Sequence, residues 1–581
     1  MKLPRSFDAY DKVYCVDFEY SVDASFRPEP ICLVSREIRS GECMRIPLDS
    51  SSPLPYDIGQ RSLFVAYFAS SEVGCHYSLG WPTPTNVLDL FVEFRCETNG
   101  RELPAGNSLL GAMAHYGLDS IGVSTKEDMR ELALRGGPFT DREIEALLDY
   151  CETDVDGLVA LLTKMADRID LQRALLRGQY MNAVAAMESN GIPIDSQIFA
   201  RLTANWCNIK HRLVGQIDKD FQVYDGIRFK TSAFEKYLRK NNLAWPRLVS
   251  GRVSLSDETF QRMSVSHPQV EPLRELRSTL GKMQRNSLSV GEDGRNRCLI
   301  SPFASKTGRN QPSNSKFIFG QSSWVRSLIQ PPEGYSIAYI DWSQQEFGIA
   351  AAQSGDQKMI EAYLTGDPYL AFGKQAGKIP PDGTKLSHKA EREQFKQCTL
   401  AVQYGMGALG LARKLSLPRP YGNHLLEMHR RTYPVFWRWI EEYIARARML
   451  RHMTTVFGWR LHVGPSTGDR TIANFPMQAN GAEMLRIAII IALDRGVKVC
   501  APVHDAILIE APSSEIHRAV AVAQDAMAEA SRIVLQGFEL RTDVDLIEYP
   551  ERYRDPRGNR IWEIVTREMD SQVELPLIAR G

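Results

Sequence analysis

VHDAILIE, residues 503–510, reads as a β-hairpin: the apolar runs Val497–Val503 and Ile507–Ile509 form the strands, and His504 and Asp505 stand at the turn. An isolated His-Asp pair is more often a plain turn than a site, so its meaning depends on a partner. YSIAYIDWSQQEFGIAA, residues 335–351, supplies one, a buried-strand pattern that ends in Asp341. Carboxylates on two adjacent strand ends can share a pair of divalent cations about 3.5 to 4 Å apart, the arrangement used for in-line displacement at phosphorus.

The rest of the chain bounds that reading. At 581 residues it has room for about four units of roughly 150 residues. Hydrophobic residues make up 43% and charged residues 24%, which allows a large core and excludes global disorder. Formal net charge is zero, so a nucleic-acid partner would have to meet local basic patches. Ser301–Gln330 is such a patch, with Lys306, Arg309, Lys316 and Arg326 and no Asp or Glu. The ten cysteines show neither CxxC pairs nor zinc spacing and read as reduced thiols of a cytoplasmic protein. No signal-peptide h-region and no apolar stretch of membrane-spanning length is present.

Near the N-terminus, VYCVDFEYS (13–21) is a strand pattern that puts Asp17 and Glu19 on one face, because the strand period is two. Downstream, residues 140–165 have helical periodicity with Thr140 as N-cap. Tyr150 and Asp154, four apart, share one helical face, so the carboxylate can complete a metal site and the phenol can orient an attacking water. This Asp-x-Glu and Tyr-x3-Asp combination resembles the proofreading 3′-to-5′ exonucleases of the DEDD type with the tyrosine variant. The resemblance implies one further carboxylate, either Glu72 in LFVAYFASSEVG or Asp89 in NVLDLF, with Glu72 preferred because a short helix would follow a strand there. A glutamate at that place departs from the family's aspartate.

From Gln172 to about Arg297 the chain is mostly amphipathic helix. NGIPID (190–195) stops one helix at glycine and continues extended before proline. This region resembles the thumb entry of family A DNA polymerases, which implies sequence-independent phosphate contacts from basic residues such as Arg274, Arg277, Lys282 and Arg285.

The C-terminal half carries the polymerase-like motifs in order. SKTGRNQPSN (305–314) resembles the family's T-G-R loop and implies that Arg309 contacts nucleic acid near the primer terminus; Arg326 matches a further arginine of the family. DWSQQEFG (341–348) matches motif A at its polar positions. It implies that Asp341 binds both metals, that Gln344 belongs to the nucleotide site, and that Glu346 occupies the place of a ribose 2′-hydroxyl and excludes ribonucleotides. The family's arginine two residues further on is Gly348 here. In motif B, Arg392, Lys396, Leu400 and Tyr404 recur every four residues over about 18 Å of helix. By resemblance Arg392 and Lys396 neutralise the triphosphate, Leu400 replaces the usual aromatic, and Tyr404 lies by the templating base. TTVFGWRLHV (454–463) follows the fingers, and ANFPMQANG (473–481) implies a minor-groove contact from Gln478 before a buried helix. VHDAILIE is the last motif, with His504 supporting the primer end and Ala506 where the family has a second carboxylate.

The chain is therefore identified as a member of the family A, polymerase I-like DNA polymerases of phage type, carrying a DEDD-type exonuclease. The expected fold class is α/β multidomain: a ribonuclease H-like exonuclease domain (1–171) and a right-hand polymerase with thumb (172–300), palm (301–370 and 466–581) and fingers (371–465). The resemblance to the compact phage type carries the expectation that no flap-nuclease domain precedes the exonuclease. The implied metal ligands are Asp341 and Asp505 in one site and Asp17, Glu19, Asp154 and Glu72 in the other, each holding two Mg²⁺ with Mn²⁺ as a substitute. The implied partners are primer-template DNA and deoxynucleoside triphosphates, with a replisome helicase or single-strand-binding protein as further candidates for a monomeric enzyme. Two rivals share parts of the pattern: a single-subunit RNA polymerase, against which Glu346 and the nuclease unit stand, and a nuclease whose C-terminal half only binds nucleic acid. A DNA-binding scaffold would need no paired carboxylates. Loss of the arginine at 348 further suggests tolerance of 2-aminoadenine, which adds a minor-groove donor to an edge that otherwise shows only acceptors.

Overall fold

The computed structural model describes residues 3–118, 123–248, 250–282, 288–415 and 417–570. The chain forms two compact units: one of Met1–Gly191, Leu299–Pro312 and Ser336–Leu546, the other of Ile192–Cys298, Ser313–Tyr335 and the segment from Ile547 onward. The Leu171–Asn190 helix buries Tyr180, Met181 and Val184 in the core of the first unit and ends at Gly191 with φ +62°.

Among the described residues the first unit contains two large sheets and a small two-stranded one, His452–Thr454 with Arg460–His462. In the N-terminal sheet the strand order is Cys43–Pro47, Pro28–Glu37, Lys12–Val22, Ser62–Ala66, Val87–Asp89. The first three strands are antiparallel neighbours, and the last two run parallel to the central one. A long helix, Asp141–Met165, packs across this sheet and starts with a capping box between Thr140 and Glu143, as the sequence predicts. The second sheet has the order Lys498–Val503, Ala506–Pro512, Tyr335–Trp342, Thr542–Glu548. Three of its strands, Lys498–Val503, Ala506–Pro512 and Tyr335–Trp342, are buried along most of their length under helices, notably Asp469–Asp494 and Ile516–Val534, while the edge strand Thr542–Glu548 is mostly exposed.

One local expectation changes. The Asn474-Phe-Pro-Met-Gln478 segment does not precede the buried helix but lies inside it, within Asp469–Asp494, with Pro476 in the helix interior. Proline removes one ladder donor there; one turn on, Asn480 Nδ2 donates to the Pro476 carbonyl at 2.8 Å.

The second unit is mainly helical, with Ser196–Ile217, Thr231–Lys240, Asp257–Ser266 and Glu271–Lys282. Arg277, expected to meet phosphate, is instead sandwiched against Phe229 and Phe260 at 4.3 and 4.5 Å, and Arg274 pairs with Glu271. The side chain of Lys282 and all of Arg285 lie outside the described residues. Among the described residues no helix is long and apolar enough to cross a membrane.

Candidate active site

The hairpin forms as read. Val503 pairs with Ala506, leaving a two-residue turn in which His504 takes φ +58°, and this left-handed residue turns the chain tightly enough to put Asp505 at the tip. Asp341 is the penultimate residue of the neighbouring Tyr335–Trp342 strand. The two strand ends are tied by the Trp342 N–H donating to the Asp505 carbonyl at 3.4 Å.

Sequence reasoning missed what stands on the other side of Asp341. The Thr542–Glu548 strand borders it there, and Asp543 and Asp545, two apart and so on one strand face, add their charge. The only sequence signal was the alternation T-D-V-D at 542–545. Asp543 also accepts a hydrogen bond from the Ser343 hydroxyl at 2.5 Å. Burial and the like charges of Asp505, Asp543 and Asp545 push the Asp341 carboxyl up to about 6. Burial also raises Asp505, opposed by Arg309 and His504. Such a crowd of carboxylates is what a divalent cation would relieve, so the residues present fit the metal site that the sequence implied.

Next to Asp505 opens a cleft lined by Arg309, Gln344, Gln345, Glu346, Phe347, Tyr369, Leu400, Gln403, Tyr404 and His504. Of these, Arg309, Gln344, Glu346, Leu400, Tyr404 and His504 were expected on sequence grounds; Gln345, Phe347, Tyr369 and Gln403 were not. Glu346 sits in the first turn of the Gln345–Ser354 helix, where its carboxylate accepts from the Tyr404 hydroxyl at 3.2 Å and pairs with Arg309 at 3.5 Å. Its pKa still rises, because burial outweighs Arg309 and Tyr404.

Arg309 is placed by a held loop. The Gly308 carbonyl accepts from Arg486 at 2.8 Å, and the Lys306 carbonyl accepts from Asn99 at 2.7 Å and from the Trp459 indole at 3.1 Å. Gly308 has φ +74°, and a Cβ there would lie 3.2 Å from the Trp459 ring, so this turn needs glycine.

Motif B is the Lys389–Gln403 helix, with Tyr404 at its C-cap. Leu400 and Tyr404 reach the cleft; Lys396 and Arg392 lie one and two turns back from Leu400 on the same face. Arg392 donates to Asp367, the N-cap of the Pro368–Gln375 helix, a partner that sequence reasoning did not find. Gln478 lies in the helix interior and does not line the cleft. Arg326, expected to touch DNA, is committed within the second unit to Asp555 at 2.9 Å and to the Phe319 carbonyl at 2.8 Å. Gly348 also faces away from the cleft: a Cβ there would lie 2.4 Å from Leu540 and 3.1 Å from the Tyr363 ring, so tight packing rather than an open groove is its local effect.

The N-terminal sheet builds a second acidic cluster. Ligand atoms of Asp17, Glu19 and Asp154 lie within 4.8 Å of one another, a spacing that fits divalent cations. Tyr150 donates to Asp154 at 3.0 Å. Glu72, on the Ser70–Ser78 helix, is buried beside them, with Oε2 lacking a hydrogen-bond partner; burial first, then Asp17 and Glu19, push its carboxyl well up. Asp89 is spent elsewhere. It accepts from the backbone N–H groups of Phe68, Ala69, Phe91 and Val92, so between the two candidates geometry brings Glu72 to the cluster and makes Asp89 a helix cap.

Comparison with known proteins agrees with this layout. The family model described as DNA polymerase family A matches residues 234–546. The thermostable DNA polymerase I of Thermus thermophilus is 24% identical over 525 residues, covering 78% of this chain and 61% of that protein. DNA polymerase I of Chloroflexus aurantiacus is 22% identical over 460 residues, covering 72% and 48%. The chain thus spans about half to three-fifths of the length of these relatives. In fold it is similar to the POL domain of Pol1 from M. smegmatis, solved in complex with DNA primer-template and dNTP, with a TM-score of 0.69 at 17% identity over 92% of this chain and 94% of that one.

Proposed function

The chain belongs to DNA polymerase family A, and from that premise we propose that it extends a DNA primer along a template with deoxynucleoside triphosphates. The observation that carries this is the convergence of Arg309, Glu346, Leu400, Tyr404, His504 and Asp505, drawn from four separate stretches of sequence, on one cleft beside Asp341. Asp341 and Asp505 would hold two divalent cations, Mg²⁺ by preference. When bound, these would stabilise the attacking and leaving oxygens of an in-line displacement at the α-phosphate.

The chain's own groups do the rest. Glu346, fixed between Tyr404 and Arg309, fills the space that a 2′-hydroxyl would need and leaves that hydroxyl without a good partner. Arg392 and Lys396, back along the helix, offset the triphosphate charge as it passes to pyrophosphate. Asp367 holds the Arg392 guanidinium in place while its remaining N–H donors stay available.

We also propose 3′-to-5′ hydrolysis of primer ends at Asp17, Glu19, Asp154 and Glu72. Support comes from the close approach of the first three and the buried, partly unpaired carboxylate of the fourth. Tyr150 would orient the attacking water from its position against Asp154. Acceptance of 2-aminoadenine is a further part of the proposal. Its only support is the departure from the family's arginine at 348 in the sequence, since Gly348 packs against Leu540 and Tyr363 and faces away from the cleft.

The experiment is primer extension and primer degradation with and without Mg²⁺, comparing deoxy- with ribonucleotides. Extension with deoxynucleotides only, lost in Asp341→Ala, is expected. Equal use of both sugars would favour an RNA polymerase. Activity unchanged by Asp341→Ala would favour a nuclease with a passive C-terminal half.

A further inference from the structure

Asp341 and Asp543 lie on neighbouring strands, Tyr335–Trp342 and Thr542–Glu548, and one side chain stands between the ends of those strands. Ser343 and Arg541 are the first residues past them. In an antiparallel hydrogen-bonded pair two residues exchange two backbone bonds. Here one bond is direct, from the Ser343 N–H to the Arg541 carbonyl at 2.9 Å. The other runs through Tyr363: the Arg541 N–H donates to the phenol oxygen at 3.0 Å, and the phenol donates to the Ser343 carbonyl at 3.1 Å. The two backbone groups therefore stand a hydroxyl apart, where a direct bond would bring N and O to about 2.9 Å.

A tyrosine that only fills a core needs one partner for its hydroxyl; this one, 1% exposed, completes a backbone pair. Three further contacts hold it. Arg541 lays its guanidinium over the ring at 4.7 Å and donates to the Tyr363 carbonyl at 2.7 Å. Gly348, where the resemblance places an arginine, leaves room for the ring, since a Cβ there would lie 3.1 Å from it. The Gln357–Leu364 helix that carries Tyr363 is capped by Asp356, whose carboxylate also accepts from the Val435 and Phe436 N–H groups at 3.1 Å. What the phenol holds reaches both acidic strands: Ser343 is two residues from Asp341, and its hydroxyl donates to Asp543 at 2.5 Å.

We propose that Tyr363 is a positioning residue of the polymerase cation site: its phenol, inserted between Ser343 and Arg541, sets the spacing of the Asp341 and Asp543 strand ends and with it the affinity for a divalent cation. Buried and outside the cleft, Tyr363 acts through the backbone of Ser343. Without the hydroxyl the Ser343 carbonyl and the Arg541 N–H pair directly and draw the strand ends together, because leaving both unpaired opposes folding more. This assignment rests on the polymerase reading above and adds a residue to it.

Mn²⁺, which suits carboxylate sites and has an electron paramagnetic resonance signal when free, is the probe. It is titrated without nucleotide into the full chain, Asp341→Asn and Tyr363→Phe, and the binding lost in Asp341→Asn defines the polymerase class. In Tyr363→Phe the Kd of that class is expected to weaken at least fivefold while the remaining Mn²⁺ binding stays as in the parent. Half-saturating Mg²⁺ for primer extension should rise by a similar factor. A tyrosine with only a packing role lowers the melting temperature and leaves that Kd within twofold, and this result overturns the assignment, as does an equal weakening of all Mn²⁺ binding. If Tyr363→Phe does not fold, Ser343→Ala, which keeps the backbone but cuts the link to Asp543, must weaken the same class at least twofold, and an unchanged Kd overturns the assignment equally. A parent chain that extends no primer, or whose Mn²⁺ binding is untouched in Asp341→Asn, overturns the polymerase reading itself, a result distinct from an unmoved Kd in Tyr363→Phe.

Discussion

Tyr404 donates its hydroxyl to Glu346 Oε1 at 3.2 Å, joining the end of the motif B helix to the start of the helix that follows Asp341. This bond, with the Arg309 contact at 3.5 Å, fixes the carboxylate that we propose tells a deoxyribose from a ribose. Glu346→Ala should raise ribonucleotide use relative to deoxynucleotides by roughly tenfold or more, since a hydroxyl-sized space opens and an unfavourable contact is removed. Tyr404→Phe keeps the ring but frees the carboxylate, and should give a smaller loss in the same direction. Competition between dCTP and CTP in single-turnover extension checks both, and unchanged discrimination in Glu346→Ala would remove the gate assignment.

The charge around Asp341 makes its chemistry depend on pH. Its carboxyl is pushed up to about 6, so protons compete with cations at higher pH than for an ordinary aspartate. At limiting Mg²⁺, kcat/KM for nucleotide addition should rise with pH through about 6, and excess Mg²⁺ should move that midpoint down. Stability follows with the opposite sign. A carboxyl whose folded pKa is raised binds extra protons in the folded state, so its contribution is present below the ordinary aspartate range and is lost as pH rises through about 6. In the absence of divalent cations Asp341→Asn should therefore melt higher than the parent at pH 8 and gain little at pH 4, which calorimetry at the two values decides.

The two carboxylates considered for the N-terminal site separate cleanly by role. Glu72→Gln should lower exonuclease turnover by about 10- to 100-fold, the scale seen when groups supporting a metal site are removed, with melting little changed or raised. Asp89→Ala strips four backbone N–H groups, those of Ala69 and Val92 buried, of their acceptor and should cost about 2 kcal/mol or more of stability. Melting curves paired with primer-degradation rates distinguish the two, and the reverse pattern would reassign the third carboxylate.

The loop that carries Arg309 is held from the N-terminal region by Asn99, whose amide donates to both the Lys306 and Arg460 carbonyls at 2.7 Å. Asn99→Asp is the same size but places a carboxylate oxygen against two carbonyls. It should raise the KM for deoxynucleotides several-fold while leaving primer degradation near the parent rate. Equal loss of both activities would point to general unfolding rather than loop placement.

How far the sequence foretold this site depended on whether the deciding pattern was local. The hairpin, the Asp341 strand end, the Thr140 cap and the four-residue spacing of motif B are all written in short runs, and all formed. Non-local pairings were not legible. Nothing in the T-D-V-D run says that its strand borders Asp341, and nothing in G-D-P-Y says that Asp367 meets Arg392. Arg277 and Arg326 read as free cations because sequence shows charge but not the aromatic rings or the carboxylate that enclose them.

The most direct test of the account is a pair of substitutions assayed on one labelled primer-template in Mg²⁺: Asp341→Asn and Asp17→Asn, each scored for primer lengthening and primer shortening. The account predicts a double dissociation, in which Asp341→Asn loses lengthening by at least about 10²-fold but still shortens the primer, while Asp17→Asn lengthens it but no longer shortens it. Lengthening that survives in Asp341→Asn would contradict the account.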